Sequence, residues 1–312
     1  MKSILLVVKA VIILLLPLGL NAKEYLHELK KNNAVLAKAS NCAPATSIQT
    51  LQVNNVKARI EHGGVLWMDR STGTAAYEVP KGSGKTALFA GGLWLGGIDG
   101  GDQLRLAAVR FRQLGNDFFA GPLREGSATI SPERCDEMDK FFIITRAEVK
   151  EFIAWWNDKD AYPTYAIPES ILDWPAHGNI ADGEAWNLAP YIDVDESGHY
   201  NPAEGGDYPG YDFNNEYCDV GNCSGSRRAV LYGDYTIWWV MNDNGNIHTE
   251  SGGMPIGMEI KCQAFGFSTN DEVNDMTFYN YELINRGTQT LKETYFGQWV
   301  DPDLGNHNDD YV

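Results

Sequence analysis

The chain has 312 residues, of which 44% are hydrophobic, and a formal net charge of −17. This length is ample for one large domain or two small ones. Because so acidic a surface repels the phosphate backbone of DNA and RNA, nucleic acid is not expected as a partner.

The first 22 residues are typical of a secretory signal peptide. Lys2 and Lys9 supply positive charge, residues 11–20 form an apolar run, and Ala22 is a small residue that suits a cleavage site. The run is too short for a transmembrane helix, which needs about 20 apolar residues, and no later segment is apolar enough to span a membrane. We therefore predict a secreted or cell-surface protein that is cleaved after Ala22.

The lead-in at residues 23–50 has a weak helical pattern, and the globular region is predicted to begin at residue 51 and to extend to residue 312. The first part of this region alternates apolar and polar residues between turns rich in glycine and aspartate. Such a period of two is typical of antiparallel strands. The predicted strands lie at residues 56–60, 65–68, 87–94 and 104–112.

A helical insertion is predicted at residues 131–157. Ser131 precedes a proline, which is favoured at the first position of a helix. Thr145 and Glu148 have the spacing of a capping box, which marks the start of a second helix. One face of that helix is apolar and carries Val149, Phe152, Ile153 and Trp156.

The second half of the chain returns to strand patterns with many aromatic residues, at residues 233–240, 258–265, 277–285 and 294–300. The predicted fold class is therefore mainly β. We expect an antiparallel, β-sandwich-like domain that carries a small α-helical insertion.

The segment 193–204 matches the calcium loop of the EF-hand. In this pattern alternate residues present oxygen atoms to a hard cation that prefers six to eight of them, and a glycine at position 6 allows the sharp turn. The predicted ligands are Asp193, Asp195, Ser197, the backbone carbonyl of His199, and Glu204 at position 12, with Asp207 as an extra or substitute ligand.

Two features depart from that pattern. Ser197 stands where an aspartate or asparagine is usual, which removes one negative charge. Pro202 disfavours the helix that normally follows the loop. We therefore predict a structural Ca²⁺ loop, extending to about residue 207, without the usual helix pair.

A second acidic group near the end of the sequence comprises Asp301, Asp303, Asn306, Asp309 and Asp310. Its spacing fits no known metal-binding loop, and a solvated turn is the favoured interpretation over a second calcium site.

Five cysteines, Cys42, Cys135, Cys218, Cys223 and Cys262, should form disulfides where geometry allows in an oxidising compartment. Cys218 and Cys223 flank a short loop, and a local bridge between them is favoured. Metal binding by this pair is the alternative, but the sequence contains no second pair of this spacing. The odd number leaves one thiol unpaired.

No recognisable catalytic set is present, and the favoured function is adhesion or binding of a glycan or a surface protein. The rival hypothesis is an extracellular hydrolase that acts on polysaccharide or protein. Its candidate acids are Asp173, Asp182 and Glu184, near His177 in a loop rich in proline and glycine.

Eight segments carry a resemblance to a known group of proteins: residues 54–60, 77–85, 93–97, 115–118, 174–178, 200–202, 206–209 and 299–305. Together they resemble the N-terminal portion of large, poorly characterised surface proteins exported by Bacteroidetes, many of which end in a sorting domain for the type IX secretion system. The resemblance implies export and a chain that continues beyond Val312, and it implies no established activity.

Overall fold

The computed structural model describes residues 41–213 and 230–304. The fold is mainly β, with antiparallel sheets and few helices, as the sequence predicts. The strands are β1 (Ile48–Leu51), β2 (Lys57–Glu61), β3 (Met68–Asp69), β4 (Thr74–Ala75), β5 (Tyr77–Glu78), β6 (Thr86–Ile98), β7 (Leu104–Ala108), β8 (Phe119–Ala120), β9 (Phe142–Thr145), β10 (Tyr191–Ile192), β11 (Tyr208–Pro209), β12 (Tyr235–Asn242), β13 (Met258–Gly266), β14 (Phe278–Asn285) and β15 (Lys292–Pro302). The α-helices are α1 (Pro132–Met138), α2 (Arg146–Asn157) and α3 (Glu169–Leu172), and short 3₁₀ turns lie at Lys159–Ala161, Ile180–Asp182 and Glu272–Asp275.

Two antiparallel sheets form the body of the domain. The first has the order β1-β2-β5-β6-β15, and β7 also pairs with β6. The second has the order β14-β13-β12-β8, and β9 also pairs with β12. Two small ribbons, β3-β4 and β10-β11, stand apart from these sheets.

The main hydrophobic core lies between the two sheets. Ile60 and Leu95 from the first sheet share one buried cluster with Ile237 and Ile260 from the second. Alternate side chains of a strand point to opposite faces, so each sheet contributes one apolar face to this core. The arrangement is that of the predicted β-sandwich.

The two helices of the insertion begin where their capping signals predict. Ser131 caps α1 by accepting the amide of Arg134, and Thr145 and Glu148 form both hydrogen bonds of a capping box at the start of α2. A strand that the sequence pattern does not predict, β9, lies between the two helices and pairs with β12. The insertion is therefore joined to the second sheet by backbone hydrogen bonds as well as by side-chain packing.

The first sheet starts before the predicted boundary at residue 51. β1 begins at Ile48 and pairs along its whole length with β2, and a disulfide links Cys42 to Cys135. This long-range bridge was not predicted.

The signal peptide at residues 1–22, most of the lead-in and the predicted Cys218–Cys223 bridge lie outside the described residues. Cys262 is buried and free.

In the described part of the chain, no helix combines the length and the hydropathy that crossing a membrane requires.

Candidate metal centre

The predicted calcium loop connects the two strands of the β10-β11 ribbon. Ile192 pairs with Tyr208, and this pairing brings the residues that follow β10 next to those that precede β11. Asp193 and Asp207, which are 14 positions apart in the sequence, are therefore held at the same end of a short antiparallel ladder.

Three of the predicted ligands are brought together by this arrangement. Asp193, Asp195 and Asp207 each offer a carboxylate oxygen, and these three oxygens lie within 4.8 Å of one another. Asp195 is exposed, Asp193 is partly exposed and Asp207 is fully buried. Oxygen atoms from carboxylates are the donors that hard divalent cations prefer, so the three side chains fit such an ion chemically.

The loop backbone has the turn that the pattern requires at Gly198, which has a φ of 79°. The carboxylate of Asp193 accepts the amide of Gly198 at 2.8 Å and that of Ser197 at 3.1 Å. The hydroxyl of Ser197 donates to the carbonyl of His199 at 3.2 Å. Ser197 and His199 thus help to shape the loop, and their role as ligands stays a prediction.

Glu204, predicted at the twelfth position, lies outside this group. It is exposed, and its carboxylate accepts a hydrogen bond of 3.4 Å from the side chain of Asn201. Asp207 belongs to the group instead, and its two carboxylate oxygens accept the amides of Val194 at 2.7 Å and Asn201 at 2.8 Å. Asp207, predicted as an extra or substitute ligand, is therefore the acid that the fold places beside Asp193 and Asp195.

The three carboxylates create unfavourable electrostatics when no cation neutralises them. Burial raises the pKa of Asp207, and the charges of Asp195 and Asp193 raise it further. Hydrogen bonds from Ser197 lower the pKa of the exposed Asp195. Negative charge is thus concentrated beside a buried carboxyl group that is itself costly to ionise.

His177 forms hydrogen bonds that hold the loop in place. Its Nε2 atom accepts the amide of Tyr200 at 2.8 Å, and its Nδ1 atom is 3.2 Å from the carbonyl of Trp186. These two contacts assign the neutral tautomer with the proton on Nδ1. Burial lowers the pKa of His177, which also favours the neutral ring.

Aromatic side chains complete this support. The ring of Trp186 stacks on His177 with centroids 3.8 Å apart, and its indole N–H donates to the carbonyl of Gly198 at 3.0 Å. On the other side, the ring of Trp156 in α2 lies so close to Gly206 that an added Cβ atom would be 2.3 Å from it. The metal-capable loop is therefore packed against the helical insertion, which sequence reasoning did not anticipate.

Two of the three acids considered for a hydrolase are neutralised by arginine. Glu184 is buried and accepts two hydrogen bonds from Arg134, at 2.8 and 2.9 Å. Asp182 pairs with Arg124 at 2.8 Å. Asp173 is exposed and lines a shallow groove beside β9. Both Glu184 and Asp182 are therefore already engaged by an arginine.

The second acidic group is only partly described. Asp301 lies in β15, and the amide of Asp303 donates to the carbonyl of Ala87. Asn306, Asp309 and Asp310 lie outside the described residues. Among residues 41–213 and 230–304, one group of acidic, histidine or cysteine side chains could hold a metal ion, and it consists of Asp193, Asp195 and Asp207.

The comparisons with known proteins give no relative for this chain. No family model matches it, and neither does any curated protein sequence or any solved structure.

Proposed function

We propose that this chain is an exported, calcium-stabilised module that acts by binding a glycan or a surface protein. The observation that carries the metal part of the proposal is the convergence of Asp193, Asp195 and Asp207 within a loop whose sequence matches a calcium-binding pattern. Export is supported by the signal-peptide pattern and by the resemblance to exported Bacteroidetes surface proteins.

The role of the ion would be structural. A Ca²⁺ ion held by the three aspartates would offset their mutual repulsion and would fix the loop between β10 and β11. Because Trp156 packs on this loop and also belongs to α2, the ion would in turn stabilise the contact between the loop and the helical insertion. A hydrolase is less well supported, since Arg134 and Arg124 hold Glu184 and Asp182.

Thermal unfolding tests the metal site. A ligand that binds only the folded state stabilises it by about 2.7 kcal/mol at a hundredfold excess over its dissociation constant. For a domain of this size that corresponds to roughly 5 °C in the unfolding midpoint. We therefore expect millimolar calcium to raise the midpoint relative to EDTA, and Asp193→Ala/Asp195→Ala to abolish the rise.

Two further variants test whether Asp207, which the structure places in the carboxylate group, or Glu204, which the EF-hand pattern predicts, holds the ion. Asp207→Asn should remove the calcium-dependent rise, whereas Glu204→Gln should retain it because Glu204 lies outside the carboxylate group. Magnesium chloride at equal ionic strength serves as the control for general screening of charge. Equal midpoints in calcium and EDTA for the wild type would refute the metal site.

A further inference from the structure

The pairing of β6 with β15 places three aromatic side chains on one face of the first sheet. Trp94 lies directly opposite Gly297, and Tyr295 and Trp299 are two residues to either side of that glycine. Cross-strand partners and residues two apart in a strand share one face of a sheet. We call Trp94, Tyr295 and Trp299 the aromatic platform.

The aromatic platform is on the outer face of the sandwich. The side chains on the opposite face of β6 are Leu93 and Leu95, which are only 6% and 1% exposed and belong to the main core. Trp94, in contrast, is 52% exposed and Tyr295 is 77% exposed, whereas Trp299 is partly buried and packs against the main core. Trp94 and Tyr295 thus present most of their rings to solvent, where a partner can reach them, and Trp299 presents a smaller part.

Hydrogen bonds fix the two indole rings of the platform. The N–H groups of Trp94 and Trp299 both donate to the carbonyl of Val109, at 2.7 and 2.6 Å. The polar edges of both rings are thus satisfied within the protein. Rings that are already oriented lose little conformational freedom when a ligand stacks on them.

The shape of the platform is elongated and open. A strand advances about 3.3 Å per residue, so the backbone positions of Tyr295 and Trp299 are roughly 13 Å apart, and Trp94 lies about 5 Å to the side on the neighbouring strand. A Cβ atom added at Gly297 would meet nothing within 4 Å, so the sheet surface is open at this position, opposite Trp94. Such a strip is longer than a single sugar ring and suits a polymer.

We propose that the aromatic platform binds an uncharged polysaccharide whose sugar rings stack on Trp94, Tyr295 and Trp299. The C–H groups on the face of a pyranose ring are weakly positive, and they complement the negative face of an aromatic ring. The platform itself carries no charge, and the net charge of −17 disfavours acidic polymers such as polyuronates. The inference rests on the proposed binding function and names its ligand class and its site.

Retention on insoluble polysaccharides provides the test. The purified protein is mixed with microcrystalline cellulose, insoluble β-1,3-glucan or chitin, and the unbound fraction is measured; soluble polygalacturonate serves as an acidic competitor. We expect retention on at least one of the three neutral polymers and no competition by polygalacturonate. Trp94→Ala and Tyr295→Ala should each weaken retention by about fivefold or more, which is the effect of one aromatic contact.

Phe296→Ala is the matched control. Phe296 is the neighbour of Tyr295 in β15, is 49% exposed, and lies on the opposite face of the strand. If retention depended on general stickiness or on pairing of another strand with the edge of β15, this variant would weaken it as much as Tyr295→Ala. Equal losses, competition by polygalacturonate, or no retention on any neutral polymer would overturn the proposal.

The proposals of a metal site and of a polysaccharide-binding platform can be refuted independently of each other. Calcium-dependent unfolding of Trp94→Ala and Tyr295→Ala should match that of the wild type, which also shows that these variants are folded. A retained calcium effect without polysaccharide binding refutes only the platform. Polysaccharide binding that requires Trp94, without any calcium effect, refutes only the metal site.

Discussion

His62, next to the end of β2, is a fully buried titratable residue. Burial lowers its pKa to about 4, although the negative charge of Asp139 opposes part of this change. Its ring packs near Phe141, with centroids 5.3 Å apart. The imidazole of His62 therefore stays neutral in the folded protein at pH values where, in the unfolded chain, it titrates with its usual pKa of 6.5.

Acidification should consequently destabilise the protein. Between pH 6.5 and pH 4 the unfolded state binds a proton at His62 that the folded state does not, so the free energy of unfolding falls as the pH is lowered. At pH 5 the expected loss is about 2 kcal/mol relative to pH 7. Urea unfolding in EDTA at the two pH values measures it.

His62→Phe provides the comparison because it keeps an aromatic ring and removes the titrating group. The fall in stability between pH 7 and pH 5 should shrink by about 2 kcal/mol in this variant. An unchanged pH dependence would show that other groups cause the effect.

Individual site residues were predictable where the pattern is local. Asp193, Asp195 and Gly198 lie within six consecutive positions, and their place in one loop follows from spacing alone. Whether Glu204 or Asp207 lies beside them does not, because it depends on how β10 and β11 pair and on which carboxylate the fold buries. The structure places the buried Asp207, which accepts two amides, in the carboxylate group.

Elements whose signals lie in adjacent residues were predicted well. The caps at Ser131 and Thr145 use side chains that bond to amides three positions away, and they mark the helix starts correctly. β9 was missed because its four residues are too few to show a period. β1 was assigned to the lead-in because its role depends on pairing with β2 rather than on its own sequence.

The aromatic platform illustrates the same limit for sheets. Trp94 and Tyr295 are about 200 positions apart, and no local pattern relates them. Only the register of β6 against β15 places both on the outer face. A shift of one residue would exchange the two faces of β15.

A disulfide joins the segment before β1 to α1, and its removal should lower stability. Cys42 and Cys135 are separated by 93 positions, and closing a loop of that size restricts the unfolded chain strongly. Cys42→Ala/Cys135→Ala is expected to lose about 4 kcal/mol in urea unfolding. A urea midpoint equal to that of the wild type would mean that the bridge contributes nothing to the free energy of unfolding.

For the molecule as a whole, the dominant physical property is its negative charge. A formal charge of −17 produces self-repulsion that salt screens. Raising sodium chloride from 20 to 300 mM in EDTA should therefore raise the unfolding midpoint by about 3 °C. Sucrose at the same osmolality controls for effects unrelated to charge, and an equal rise in sucrose would contradict the electrostatic explanation.

The link between Cys42 and Cys135 also has a mechanical consequence. When the protein is stretched from its two ends, the residues between the cysteines carry no tension, because the force passes through the sulfur atoms. With 93 positions between them, roughly 300 Å of chain is withheld from extension while the bridge is intact. A single-molecule pulling experiment would see that length appear only after the bridge has been reduced.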